Sequence, residues 1–101
     1  MKSKWLGLVL LLLLPGAALA GNIYGTIMQV NAPPPQGTPV EVTCGSNRYR
    51  GSIGPGGSYS VYVRDNGACT LTVSGASQTV YSYPNPAQYD FVLNGNTLNR
   101  R

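Results

Sequence analysis

The hydrophobic pattern of this chain changes at residue 21. Before it, an apolar run from Trp5 to Leu14 follows Lys2 and Lys4. After it, short segments alternate apolar and polar residues, are separated by Gly, Pro, Asn and Ser, and show no helical periodicity. Alternation with a period of two is typical of strands that bury one face. We therefore predict an all-β domain that begins at Gly21.

Seven segments carry this alternation, and their starts are spaced by about ten residues, as in β-sandwich domains. The predicted strands cover residues 22–30, 39–44, 48–53, 58–63, 68–73, 78–83 and 89–93. The spacing favours a seven-stranded sandwich of two antiparallel sheets, and a barrel is the main alternative. Because successive strand residues point to opposite faces, the pattern also selects an inward set. This set comprises Val40, Val42, Cys44, Tyr59, Val61, Val63, Cys69, Leu71, Val73, Tyr89, Phe91 and Leu93.

Residues 1–20 have the order of a cleavable secretory signal peptide. The basic start and apolar run are followed by Pro15-Gly16 and by Ala18-Leu19-Ala20, a cleavage-type ending. The apolar run is too short for a membrane helix, which needs about 20 residues. We expect cleavage after Ala20, which leaves residues 21–101 as one periplasmic or secreted domain with no membrane insertion.

Both cysteines of the chain, Cys44 and Cys69, remain after this cleavage. Export delivers them to an oxidising compartment, where a pair of thiols normally closes. The predicted Cys44–Cys69 disulfide contributes about 3 to 4 kcal/mol in the chain-entropy model, a useful staple for so small a domain. The chain has no His and no Cys-x-x-Cys spacing, so we expect neither a metal site nor a cofactor.

Titratable side chains are few in the predicted mature domain. Lys2 and Lys4 leave with the signal peptide, so five Arg face Glu41, Asp65 and Asp90, and the net charge is +2. This charge is too weak and dispersed to predict nucleic-acid binding. Without His or Lys the domain lacks the usual general bases and amine nucleophiles. We expect Asp65 to bond its own turn, Glu41 and Asp90 to be solvated, and the protein not to be an enzyme.

The strand and turn sequence resembles a known group. Gly25-Thr26-Ile27, Pro39-Val40-Glu41-Val42 and Gly57-Ser58-Tyr59-Ser60-Val61 follow the pattern of the carboxypeptidase regulatory-like domain, which has a transthyretin-like fold. The segment Gly67-Ala68-Cys69-Thr70-Leu71-Thr72-Val73, with Asn85-Pro86 and Tyr89-Asp90-Phe91, is similar to small exported bacterial members. The resemblance covers nearly the whole mature chain. It implies a seven-stranded sandwich that serves as an accessory or interaction module, usually without a catalytic centre, and it names no ligand.

We therefore expect a non-enzymatic interaction module, monomeric or weakly associating, whose unknown partner is another protein. A carbohydrate-binding module for cell-wall or capsular glycan is one alternative, since Tyr side chains can stack on sugars. A structural or assembly subunit that pairs through an exposed sheet edge is another.

The candidate interaction surface follows from the predicted strand register. If Gly54-Pro55-Gly56-Gly57 closes a hairpin, Arg48 faces Tyr62 and Arg50 faces Ser60 on the outward side, with Gly51 opposite Tyr59. Two Arg beside a Tyr suit carboxylates or an anionic glycan, although a merely solvated face fits the same pattern. Tyr81, Tyr83 and the Pro-rich loop at residues 32–37 are the other candidate contacts.

Overall fold

The computed structural model describes residues 21–101, so the predicted signal peptide, residues 1–20, lies outside the described residues. The described chain is all-β apart from a short 3-10 turn at Pro55–Gly57. Its strands are β1 (Asn22–Gln29), β2 (Pro39–Cys44), β3 (Asn47–Ser52), β4 (Ser58–Tyr62), β5 (Gly67–Val73), β6 (Ala76–Ser82), β7 (Ala87–Gln88), β8 (Phe91–Asn94) and β9 (Thr97–Arg100). Within this range no helix is long and apolar enough to cross a membrane.

Two sheets form a sandwich-like arrangement, which confirms the predicted fold class. The five-stranded sheet has the order β4-β1-β8-β9, with the short β7 also paired to β1, and the four-stranded sheet has the order β3-β2-β5-β6. All seven predicted strands are present, and β7 and β9 are additional. The pairing of β1 with β7 and β8 is parallel, so the five-stranded sheet is mixed, whereas an antiparallel sheet was expected.

Three tight turns set the antiparallel hairpins. Gly45-Ser46 joins β2 to β3, Ser74-Gly75 joins β5 to β6, and Gly95-Asn96 joins β8 to β9. Each turn contains at least one residue with positive φ, as two-residue hairpin loops require. These turns fix the register, and the register decides which side chains face inward.

The predicted core is confirmed in full. Each of its twelve side chains is no more than 8% exposed. Ile23 and Ile27 from β1, Val80 from β6 and Leu98 from β9 complete the same cluster. Alternation therefore identified the buried faces correctly, even where the strand partners differ from those expected.

The disulfide also forms as predicted. Cys44 and Cys69 are bonded, with their Cα atoms 4.5 Å apart and both side chains buried. They lie on the paired strands β2 and β5, one residue beyond the Thr43–Thr70 pair. The bond thus staples two neighbouring strands of the four-stranded sheet, and it is typical of proteins in oxidising compartments.

The predicted β3–β4 hairpin is wrong. β3 pairs with β2, and β4 pairs with β1, so the Gly54–Gly57 connection carries the chain from one sheet to the other. Gly51 still needs to lack a side chain, but for a different reason. A Cβ there would lie 2.4 Å from the carbonyl oxygen of Ser60, because the edges of β3 and β4 approach closely, and not because a Tyr59 ring lies opposite.

Candidate functional site

The six predicted surface residues lie on or directly after three different strands, β3, β4 and β6. Arg48 and Arg50 project from β3 on the outer face of the four-stranded sheet, opposite Thr43 and Glu41 of β2. Ser60 and Tyr62 lie on the outer face of β4, in the other sheet. Tyr81 is exposed on β6, and Tyr83 follows this strand. The hairpin that was to place Arg48 opposite Tyr62 does not exist, because each strand takes its partner from its own sheet.

The structure brings together a different set, which we call the tyrosine face: Asn22, Tyr24, Ser58, Ser60 and Tyr62. Asn22 is paired with Tyr62, and Tyr24 with Ser60, so all share the outer side of β1 and β4. Tyr24 is 38% exposed and Tyr62 is 41% exposed. As diagonal neighbours across an antiparallel pair, their Cβ atoms are about 7 Å apart. Two partly exposed aromatic rings therefore flank the short polar side chains between them.

Sequence reasoning missed Tyr24 as part of this face because it assigned β4 the wrong neighbour. No face was assigned to β1 from the sequence, although the alternation of Asn22 and Tyr24 with apolar Ile23 is a signal that could have marked them as outward residues. What it could not show is that β1, the first strand, pairs with β4 across an intervening crossover. Once that pairing is known, the outward residues of the two strands form one surface.

A shallow groove of about 640 Å³ borders the tyrosine face. Its lining combines hydroxyl, amide and aromatic residues with three glycines: Asn22, Tyr24, Gly25, Gly51, Ser52, Gly54, Ser58, Tyr59 and Ser60. Among residues 21–101, no charged residue lines the groove. Ser60 donates a hydrogen bond to the side-chain oxygen of Asn22 at 2.7 Å. This bond fixes the orientation of the Asn22 side-chain amide. The groove therefore offers hydroxyl and amide groups beside an aromatic ring.

Of the two β3 arginines, Arg50 forms a long ion pair with Glu41. The Arg50 Nε atom is 3.9 Å from a carboxylate oxygen of Glu41, and the Arg50 side chain is largely exposed. An exposed ion pair of this length contributes between 0 and about 1 kcal/mol. The Arg50 side chain is 72% exposed and that of Glu41 27%, so the pair is only partly shielded from solvent.

The hydrogen bonds that the structure shows for Asp65 reach strand β3, whereas the sequence predicted a bond within its own turn. Its carboxylate accepts hydrogen bonds from the side-chain amide of Asn47 at 2.9 Å and from the Tyr49 hydroxyl at 3.1 Å. Desolvation and, after it, this hydrogen bond raise the pKa of Tyr49 above its ordinary value. The contact ties the loop after β4 to β3, so it holds together neighbouring edges of the two sheets.

Asp90 was expected to be solvated, but its carboxylate accepts hydrogen bonds within the fold. It is part-buried between β7 and β8, and its Oδ1 atom accepts hydrogen bonds from the Thr26 backbone N–H at 2.9 Å and the Thr26 hydroxyl at 3.2 Å. Its other oxygen accepts a bond from Gln88. Asp90 therefore completes the hydrogen bonding of β1.

Two buried tyrosines, Tyr59 and Tyr89, form hydrogen bonds close to the Asp90–Thr26 contact, which we call the clasp. Tyr59 donates a 2.7 Å hydrogen bond to the Tyr89 carbonyl, and burial raises the pKa of Tyr59 far above its ordinary value. The Tyr89 hydroxyl accepts a bond from the Tyr81 backbone N–H at 2.9 Å, and the Arg100 guanidinium lies 4.6 Å from the Tyr89 ring centroid. The two tyrosine hydroxyls are thus hydrogen-bonded to the backbone of the fold, whereas Arg100 itself is exposed.

The three carboxylates lie on different elements: Glu41 in β2, Asp65 after β4 and Asp90 between β7 and β8. Within residues 21–101 no group of three His, Cys, Asp or Glu side chains is close enough to hold a metal ion. We take the tyrosine face and its groove as the candidate site, because they bring two partly exposed tyrosines beside hydroxyl and amide groups.

Comparison with known proteins gives one similarity in fold. No protein-family model matches the chain, and no curated protein matches it. A solved structure titled "The Bacillus anthracis TIE protein" is similar, with a TM-score of 0.54 and 10% sequence identity. The match covers 77% of this chain, which spans only 16% of that one. At this identity the likeness shows the fold alone.

Proposed function

We propose that this protein is an exported, non-enzymatic interaction module that binds another protein through the tyrosine face. The observation that carries the proposal is the pairing of β1 with β4, which exposes Tyr24 and Tyr62 on one surface. Tyr is enriched among the residues that dominate protein interfaces, since it provides a rigid apolar ring and a polar tip. The earlier candidates Arg48 and Arg50 belong to the other sheet and are not part of this face.

Two further features support an exported binding module. The signal-peptide pattern of residues 1–20 and the closed disulfide both fit a periplasmic or secreted protein. The resemblance to carboxypeptidase regulatory-like domains fits an accessory domain without its own catalytic centre. We expect the domain to act as a monomer or weak oligomer, in line with an apolar cluster that is buried within one chain.

Affinity capture tests the proposal. The mature domain, fixed to a resin through its C-terminus, is incubated with envelope and secreted fractions of the producing organism, and retained proteins are identified by mass spectrometry. Binding to each purified candidate is then titrated. We expect Tyr24→Ala with Tyr62→Ala to weaken the partner's binding at least tenfold, because truncation of an interface aromatic costs about 2 kcal/mol or more.

A matched control is available elsewhere on the chain. Tyr81 and Tyr83 are also exposed, at 47% and 51%, but they lie at the edge of the other sheet. Tyr81→Ala with Tyr83→Ala should leave the affinity within about twofold of wild type. Equal losses from the two pairs would indicate nonspecific adhesion by aromatic side chains, and a loss confined to Tyr81 and Tyr83 would move the interface to β6.

A second candidate function is supported by the groove. Its uncharged lining of hydroxyl and amide groups beside Tyr24 suits a neutral cell-wall or capsular glycan, whose rings stack on aromatic side chains. A glycan array separates the two proposals. Saturable binding to a glycan that Tyr24→Ala abolishes favours the carbohydrate-binding module, and an array without binding leaves the protein partner.

A further inference from the structure

The strand β3 lies at the end of the four-stranded sheet, and among the described strands it pairs only with β2. The turn between them closes at the Cys44–Asn47 pair, and the same ladder continues to a 2.8 Å bond from the Ile53 N–H to the Thr38 carbonyl. Every second residue of β3 therefore bonds to β2. The backbone groups that point away from β2 are those of Arg48, Arg50 and Ser52, which we call the β3 edge.

The backbone groups of the β3 edge have no hydrogen-bond partner within residues 21–101. Elsewhere the fold closes strand edges with side chains. On β6, the Tyr89 hydroxyl bonds to both the N–H and the carbonyl of Tyr81, at 2.9 and 3.3 Å. Gln78 accepts a bond from the Thr79 N–H and donates another to the Leu98 carbonyl of β9. Because an unpaired edge is a template for another strand, this contrast makes β3 the place where an added strand finds free partners.

Two arginines flank the β3 edge on the outer face of the sheet. Arg50 is largely exposed and lies 3.9 Å from Glu41. Arg48 is also exposed, and in the described chain no carboxylate forms an ion pair with it. The Asp65 carboxylate already accepts hydrogen bonds from two other β3 side chains. A second copy of β3 would place Arg beside Arg, which destabilises a cross-strand pair, whereas a strand with carboxylates at alternate positions would place them beside both arginines.

We propose that the β3 edge binds an extended, acidic segment of a partner protein as an added strand of the four-stranded sheet. The segment's backbone bonds to the free groups of Arg48, Arg50 and Ser52 and supplies affinity. Its carboxylates contact the two guanidinium groups and select the sequence. The tyrosine face lies on the other sheet, so this binding surface goes beyond the function proposed above and does not depend on it.

A peptide titration tests the charge selection. The probe is acetyl-Val-Glu-Val-Glu-Val-Thr-amide, and the matched control has Lys in place of both Glu. In an NMR titration of the mature domain, the acidic peptide should shift the amide resonances of Arg48, Arg50 and Ser52 with a dissociation constant of about 1 mM or lower. The basic peptide should bind at least about tenfold more weakly. No shifts with about 5 mM acidic peptide, or equal affinity for both peptides, would overturn the proposal.

Charge reversal separates contact at this edge from general attraction between opposite charges. Arg48→Glu should weaken binding of the acidic peptide at least about tenfold and strengthen binding of the basic peptide. Arg101→Glu changes the net charge equally at an exposed position after β9, and it should alter both affinities less than about threefold. Thermal melts verify that both variants are folded. Equal effects of the two substitutions would contradict a contact with Arg48.

Backbone pairing is tested with N-methylated peptides, because successive N–H groups of a strand point to opposite sides. One version of the acidic peptide is methylated at both Glu nitrogens, and the other at the nitrogens of the two Val residues that follow them. One version should lose at least about tenfold in affinity, and the other should stay within about threefold of the parent peptide. Bound peptide should also slow hydrogen exchange at the Arg48, Arg50 and Ser52 amides at least about tenfold. Equal affinities of the two methylated peptides would overturn strand addition.

Discussion

Thr26 donates two hydrogen bonds to Asp90, one from its backbone N–H at 2.9 Å and one from its hydroxyl at 3.2 Å. These bonds lie where β1 changes its parallel partner. Ile23 and Tyr24 pair with β7, and pairing with β8 begins at Ile27. Between them the Asp90 carboxylate replaces a strand carbonyl as the acceptor for β1. The Asp90 side chain thus links β1 to the segment between β7 and β8.

Asp90→Ala should lower the free energy of unfolding by about 1 to 3 kcal/mol, because it leaves a part-buried backbone N–H without its acceptor. Asp90→Asn keeps an oxygen in the same position and should cost less. Urea denaturation followed by circular dichroism measures both. If Asp90→Ala is as stable as wild type, the clasp is not part of what stabilises the fold.

Removal of the disulfide should have a larger effect. Cys69→Ala is expected to cost about 2 to 5 kcal/mol, because it frees the unfolded chain from a constraint and leaves the Cys44 thiol buried. The wild-type protein in reducing conditions should lose a similar amount. Denaturant titration with and without reductant checks this, and identical curves for oxidised and reduced wild type would refute the role of the staple.

Stability should fall at alkaline pH, and Tyr59 provides the clearest cause. Its pKa is raised in the folded state, so above about pH 10 the unfolded chain loses a proton that the folded chain retains. The stabilisation is complete below the unfolded-state pKa and decreases by about 1.4 kcal/mol per pH unit above it.

Tyr59→Phe removes this contribution. At neutral pH it should cost about 1 kcal/mol through loss of the bond to the Tyr89 carbonyl, yet its stability should decline less steeply between pH 9 and 11. A Tyr59→Phe slope equal to that of wild type would show that this tyrosine does not set the alkaline limit.

The arginine pair of β3 should contribute little to stability. Arg48→Ala with Arg50→Ala is expected to change the free energy of unfolding by less than about 1 kcal/mol, because the Arg50–Glu41 pair is exposed and 3.9 Å long. The same variant should bind the captured partner nearly as well as wild type, since these residues lie outside the tyrosine face. Thermal melts and the binding titration measure the two effects. A binding loss as large as that of Tyr24→Ala with Tyr62→Ala would show that the arginines belong to the interface.

Local sequence pattern predicted the buried side of this fold well. The inward residues of β2, β4, β5 and β8 and the disulfide between Cys44 and Cys69 all follow from alternation and from cysteine count. The added strand β9 also had a signal, because Gly95-Asn96 is a typical two-residue hairpin turn between β-forming segments.

Strand partners could not be predicted in the same way. Alternation reports which face of a strand is buried, but it does not report which strand lies beside it. The Gly-rich segment before β4 looked like a hairpin turn, yet Gly45-Ser46 already provides β3 with a partner in β2. The candidate site depended on partners, so it moved from Arg48 and Tyr62 to Tyr24 and Tyr62. The clasp between Asp90 and Thr26 joins residues 64 positions apart and has no local signature.

Intact mass of the exported protein under non-reducing conditions tests the central claim, that the protein functions as an exported, processed and disulfide-closed domain. We expect a single species with the mass of residues 21–101 less two hydrogen atoms, unreactive toward thiol reagents until reduced. A species that retains residues 1–20, or one that carries two free thiols, would contradict it.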